Sequence, residues 1–471
     1  MPFDLNRRLP LRRSRGVLAA AVLVLGAAAC SSIDDALDVT DPDIINPGDV
    51  RSAAGADAVR LGALARFNGS TSGDNGGSSG ESLWMYTGLF TDEFRSGDTF
   101  NQRDQTDKRA ITYENANIEN GYLYAHRARI SATQALDALR AYAPDAPAAQ
   151  LAEMYFVQAY VENQLAEAFC SGVPFSSVVD GVEKYGGQIT ATAAYERALA
   201  HADSGLALIT GTSAADVKVK NALAVIRGRI LVNLGRYADA ATTVADVPTT
   251  FAYVNEQSQT SKDNGVWAYN VSARRYIVAD GEGTNGIDFA RSNDPRVPVC
   301  VGADATCRAI GVTTSRPFDT QLAVTMYAQL KYPTRDADAT VADGVEARLI
   351  EAEAQLKAGN SANALATLNA LRATVTGLAP LTDAGSTADR VSQLFRERAF
   401  WLYGTGHRLG DLRRLVRQYE RAATDVFPTG TYFKGGSYGT QVAFPIPQSE
   451  ENNPEVGAKA SGDAICLSLD A

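Results

Sequence analysis

Between Val391 and Arg417 the chain reads VSQLFRERAFWLYGTGHRLGDLRRLVR, and this stretch restricts the fold more than any other. Val391, Leu394, Phe395, Ala399 and Leu402 recur at three- and four-residue steps, which places them along one apolar helix face. Arg396, Glu397 and Arg398 are left to reach solvent or a neighbouring helix. Gly404 and Gly406 break the helix, and His407, Arg408, Asp411, Arg413 and Arg414 follow as a dense polar cluster. Asp411 stands four residues after His407 and three after Arg408, one helical turn, where a carboxylate can pair with either cation.

This stretch resembles the C-terminal signature of the SusD/RagB family. The matching residues are Arg396, Phe400, Gly406, His407, Arg408, Asp411, Leu412, Arg413 and Arg414. Leu409–Gly410 stand where the family often has an aromatic pair, and Thr405 where it usually has Glu. Phe444–Pro454, FPIPQSEENNP, resembles the family's closing segment, and Leu368, Asn369 and Arg372 match its Leu-Asn-x-x-Arg. The resemblance implies a mainly α, SusD-like fold with divergent tetratricopeptide-type helix pairs and an inserted irregular, loop-rich region. It further implies a surface-exposed outer-membrane lipoprotein that binds a nutrient, usually an oligosaccharide. Such a protein hands its cargo to a SusC-like TonB-dependent transporter and cleaves no bond. Arg396, His407, Arg408, Asp411 and Arg413 are expected to be structural, with His407 a buried hydrogen-bonding hub beside Asp411.

The start of the chain agrees. Arg7, Arg8, Arg12, Arg13 and Arg15 precede an apolar run from Val17 to Ala29, too short to span a bilayer comfortably. Ala27-Ala28-Ala29-Cys30 resembles a lipobox, so residues 1–29 read as a lipoprotein signal peptide and Cys30 as the lipidated residue. Cleavage without lipidation is the alternative. Residues 30–49 read as the anchor and an acidic tether, and residues 50–471 as the SusD-like domain. The net charge of −10, near −14 once residues 1–29 are removed, lacks the basic footprint of nucleic-acid binding.

Helical periodicity dominates residues 50–246 and 341–423, the expected scaffold. Stripes run through Ala128, Ala132, Ala135 and Leu139, then Met154, Val157, Val161 and Leu165, with Pro144 and Pro147 between them. Leu234-Gly235-Arg236-Tyr237 and Lys357-Ala358-Gly359-Asn360 share the grammar of a helix-hairpin turn. Asn68–Ser82 reads as a Gly/Ser/Asn loop and residues 247–340 as irregular loops and short strands; a region that long is uncommon unless functional. Residues 424–471 form the closing segment, and Thr424–Tyr438 reads as a second Gly- and aromatic-rich loop.

With Cys30 lipidated, Cys170, Cys300, Cys307 and Cys466 remain, and four cysteines allow three pairings. One of them closes a small loop with Cys300–Cys307 and pins the C-terminal tail with Cys170–Cys466. No metal or cofactor is expected. His126, His201 and His407 are far apart in sequence and lack a zinc-binding spacing. The G-x-G-x-x-G from Gly281 to Gly286 opens no helix, and the G-x-S-x-G matches at Ser78 and Ser437 sit in Gly-rich loops.

Aromatic residues carry the better functional signal, because apolar C–H faces of sugar rings stack on them. Trp84, Tyr86, Trp267, Tyr269 and Tyr276 are the candidate ligand contacts, with Trp401 assigned to the core. A helical-repeat adaptor that binds protein segments in the envelope is the competing class. A surface glycoside hydrolase is disfavoured for want of a recognisable catalytic set.

Overall fold

The computed structural model describes residues 51–73, 81–179, 182–456 and 465–470; the expected signal peptide, Cys30 and the expected tether, residues 1–49, lie outside them. The described chain is mainly α-helical, and its strands are short. Ser52 caps α1 (Ala53–Thr71) by accepting the Gly55 N–H. The helix therefore runs four residues, Asn68 to Thr71, into the expected loop. Its last turn is held by Ser70 and Thr71 hydroxyls bonded back to Phe67 O, a local competition for carbonyls that Gly/Ser/Asn composition does not reveal. Next come α2 (Leu83–Phe90), β1 (Phe94–Ser96), α3 (Asn101–Asp107), α4 (Ala116–Tyr142) and α5 (Ala148–Ala168).

Ala125, Ala128, Ala132 and Ala135 on α4 are fully buried, so this small-residue stripe lets neighbouring helices approach closely. From Phe156 to Ala168, α5 is buried on every side, as befits a helix in the middle of the molecule. A hairpin of β2 (Ser177–Val179) and β3 (Val182–Lys184) precedes α6 (Ala191–Leu208) and α7 (Ala214–Asn233). A Ser213–Asp216 capping box starts α7.

Two helix pairs follow the grammar expected of them: α7 with α8 (Tyr237–Val244), and α9 (Gly344–Lys357) with α10 (Ser361–Arg372). Each turn passes through a left-handed glycine, Gly235 at φ +74° and Gly359 at φ +81°, where a side chain would be strained. The region between the pairs is gathered at its ends. β4 (Ala252–Asn255) pairs with β8 (Ala339–Asp343), so the irregular segment leaves and re-enters the scaffold at one point. Within it lie β5 (Tyr276–Val278), β6 (Val299–Val301), β7 (Tyr327–Gln329) and a single π-turn at Ala268–Ser272. Scaffold helices resume at Gly344 after β8, rather than at Val341.

The signature stretch forms α11 (Thr387–Trp401) and α12 (Arg408–Tyr419), and its charges point inward. Asp411 pairs with neither His407 nor Arg408, contrary to the helical spacing. It accepts from Arg398 Nε and Nη2 at 2.8 and 2.9 Å and from Arg414 Nη2 at 2.7 Å. Burial opposes its charge, but the two guanidiniums hold its carboxyl down at about 2. Arg408 instead grips Asp92 through two bonds of 2.7 and 2.8 Å. His407 is buried against Thr405 Oγ1 at 2.7 Å, with Glu346 3.3 Å from its other nitrogen. Glu397, not the exposed Arg396, enters the network: it takes Arg296 and the Arg372 of Leu-Asn-x-x-Arg, each at 2.6 Å. Asp411 thus pairs along its own helix with Arg414, three residues on, and across to Arg398 of the preceding helix, while Arg408 is drawn away to Asp92.

Two disulfides are present. Cys170 joins Cys466 and Cys300 joins Cys307. Asp304 lies beside the second pair, but those thiols are consumed, and its carboxylate caps a helical turn by accepting the Cys307 N–H at 2.7 Å.

Two outcomes follow for stability. Asp411→Ala strands two buried cations and should cost about 3–5 kcal/mol in urea unfolding, whereas Arg396→Ala, on the surface, should cost under about 1 kcal/mol. Glu93 is fully buried beside Gly404 N–H, and burial raises its carboxyl from 4.5 to about 8. The folded state thus holds a proton that the unfolded state releases above about 4.5, so this contribution is present at low pH and is lost as pH climbs through 8. Glu93→Gln abolishes that titration. Its stability relative to the unmodified protein should improve by roughly 2–4 kcal/mol between pH 5 and 8, measured by urea midpoints.

Candidate functional site

Most aromatic residues expected at a site are in the core. Trp84 is fully buried on α2; its indole donates to Tyr160 Oη at 3.0 Å, and Gly406 lies so close that a Cβ there would sit 2.4 Å from the ring. Tyr86 and Tyr276 are each about 1% exposed and flank Glu81, which accepts from Tyr86 Oη at 3.1 Å. No face of these three rings is open to a ligand. The reason is periodic: α2 has apolar residues all round its surface, the mark of a buried helix, and its proximity to a Gly/Ser loop in sequence is no guide. Trp267 and Tyr269 are half-buried at the π-turn, packed against the core. Tyr269 meets Tyr276 edge-on at 6.0 Å. The loop from Gly281 to Gly286 also has a structural role, since its Glu282 takes Arg95 at 2.6 Å and Tyr438 Oη at 2.7 Å.

One exposed aromatic surface lies where three irregular segments meet; Tyr142 and Tyr185 are exposed elsewhere. β1 and β5 pair antiparallel with Ser96 opposite Tyr276, so the residues leaving β1 run beside those entering β5. Gly97 N–H donates to Arg275 O at 2.8 Å. A third segment is stitched on by Phe318 N–H to Arg274 O at 3.0 Å and Asp319 N–H to Gly97 O at 2.8 Å. This brings together Phe100, Arg275 and Phe318. Phe100 is 52% exposed and Phe318 37%.

Arg275 fills the space between the two rings. Its guanidinium carbon lies 3.8 Å from the Phe318 centroid and 4.8 Å from that of Phe100. One guanidinium nitrogen, Nη1, reaches both oxygens of Asp98 at 2.8 Å, and Asp98 is itself fully buried. Arg103 binds the other side of Asp98, reaches Glu81 as well, and lies over Phe100 at 4.9 Å. Lys434, from the second Gly-rich loop, closes this edge by donating to Asp98 O at 2.6 Å and Asp104 Oδ1 at 2.5 Å. The result is a fixed platform of two apolar ring faces separated by a cation, with hydrogen-bonding groups along its rim.

Such a surface suits a ligand that offers apolar faces and hydroxyls together. Sequence reasoning passed over Phe100 and Phe318 in favour of Trp and Tyr. A signal was there: each is a lone large apolar residue inside a polar, aperiodic stretch, Gly97–Gln102 and Thr313–Thr320.

Residues 346–456 match the model of the SusD family. No curated protein matches the chain. Solved structures resemble it over most of its length. A surface glycan-binding protein A from Bacteroides uniformis shares 14% identity at a TM-score of 0.63, covering 88% of this chain and 99% of that one. A SusD-like protein from Bacteroides fragilis shares 13% identity at a TM-score of 0.61, covering 87% and 96%. A SusD-like carbohydrate binding protein from Bacteroides vulgatus shares 14% identity at a TM-score of 0.54, covering 77% and 83%. At these identities the structural likeness establishes the fold, and the matched region carries the family's motifs. The ordered signature lies in the region, residues 346–456, that matches the SusD family, and the described chain shares the fold of SusD-like structures.

Proposed function

We propose that the protein captures a glycan at the cell surface and passes it to a TonB-dependent transporter of the SusC type. The observation that carries this reading is the exposed Phe100–Arg275–Phe318 platform, since large apolar side chains are seldom left in solvent beside a built array of polar groups. The match of residues 346–456 to the SusD family supports it, as does the fold shared with a surface glycan-binding protein and a SusD-like carbohydrate binding protein. Cys30 would supply a lipid anchor and residues 31–49 a tether, placing the platform outside the outer membrane. Capture needs affinity without bond cleavage, and a shallow, two-ring platform suits binding weak enough to permit release.

The test is a panel of polysaccharides and peptides presented to the purified protein, with Phe100→Ala and Phe318→Ala alongside. Both side chains are exposed, so the fold should survive either change. One glycan should be retained selectively, and each substitution should weaken that binding about tenfold, or roughly 1.4 kcal/mol. Glycan binding untouched by both substitutions would place the site elsewhere, and peptide binding alone would favour the adaptor class.

A further inference from the structure

The buried arginines of the signature are not all alike. Arg398, Arg408 and Arg414 each have a carboxylate partner. Arg413, about 2% exposed, has none within hydrogen-bond reach among the described residues. Its Nη1 donates to the carbonyls of Ala166, Glu167 and Phe169 at 2.9, 2.8 and 2.9 Å, and Nη2 reaches Asp470 O at 3.4 Å. Its Nε is buried without a partner among the described residues. Burial lowers this guanidinium to about 10, with the like charge of Arg417 acting in the same direction against Tyr195 and Glu167.

Arg413 borders a cavity of about 380 Å³, lined also by Ser171, Tyr195, Asn233, Arg417 and Ser468. Arg417, one helical turn further along α12, is exposed and donates to Asn233 O at 3.3 Å. The first turn of α6 forms another wall, with the Ala191 N–H bonded to Ser171 Oγ at 3.2 Å, so the positive end of an 18-residue helix faces the same space. Asp470, exposed, also lines the cavity, and Glu167 lies nearby; each carboxylate accepts one hydrogen bond. Glu167 accepts from Asn233 Nδ2 at 2.7 Å, and Asp470 accepts from Ser468 Oγ at 2.8 Å. Neither bonds a guanidinium.

We propose that this cavity binds an oxyanion, a carboxylate or phosphate, held between Arg413 and Arg417 at the start of α6. A buried cation satisfied only by carbonyls and a second guanidinium within one turn, both lining the cavity, call for acceptor oxygens bearing negative charge. The site is separate in composition from the aromatic platform. Its ligand has two possible sources: the uronic acid of an acidic glycan, or a free phosphate.

Calorimetric titration of the purified protein at low salt with sodium phosphate, and separately with galacturonate, tests this. At least one should bind at millimolar concentration or below. Arg417→Gln, a surface change that spares the core, should weaken that binding about tenfold or more, and Asp470→Asn should tighten it. Binding of galacturonate alone identifies an acidic-sugar site, and binding of both identifies a general oxyanion site; either supports the proposal. Phe100→Ala should leave the affinity unchanged, which separates this site from the platform. Silence toward both anions, or equal affinity in Arg417→Gln, overturns it.

Discussion

Arg408 and Asp92 meet across 316 positions of sequence, and the arrangement of the exposed surface depends on that buried pair. The corner before β1 is fastened at three places by the signature segment. Arg408 holds Asp92, Tyr403 Oη donates to Glu93 O at 3.0 Å, and Gly404 N–H donates to Glu93 Oε1 at 2.9 Å. β1 leaves this corner at once, pairs with β5, and delivers Gly97–Phe100 to the surface beside Arg275. A motif with no side chain on the platform thus fixes where the platform stands.

Buried ion pairs are an expensive way to do this, because desolvating each charge costs several kcal/mol before any attraction is gained. What they provide is register. A leucine at position 408 would pack at many angles, whereas a fork of two N–H groups on one carboxylate accepts only one. The same device is repeated outward. Asp411 sits between Arg398 and Arg414, Glu397 between Arg296 and Arg372, and Asp98 between Arg103 and Arg275. The last lies at the platform, and there the shared carboxylate orients the guanidinium that separates the two phenyl rings.

Much of this fold is legible in the sequence, and the site is not. Helix stripes in α4, α5 and α7 show at a period near 3.6, and the turns at Gly235 and Gly359 announce themselves because only glycine sits easily at their backbone angles. The family motif is legible for a similar reason: its residues are close in sequence and tightly constrained. Partner choice inside the motif is not legible. Asp411 has cations on its own helix at favourable spacing, yet Arg398 comes from the preceding helix and Arg408 is drawn away by Asp92. Exposure was misjudged for Trp84, Tyr86 and Tyr276 because adjacency to a loop says nothing about which way a short apolar helix or a three-residue strand faces. Phe100 and Phe318 become a pair only through the β1–β5 register and the stitching of residues 318–319, contacts spanning about two hundred positions.

The platform's geometry rests on hydrogen bonds and ion pairs already made in the absence of ligand, so binding should demand little rearrangement. A crystal structure of the protein with a retained oligosaccharide is the most direct measurement. Sugar rings should stack on Phe100 and Phe318, with a hydroxyl within hydrogen-bond distance of Arg275 and the Asp98 carboxylate still shared between Arg103 and Arg275. A sugar seated elsewhere, or a platform rebuilt on binding with Asp98 released, would contradict it.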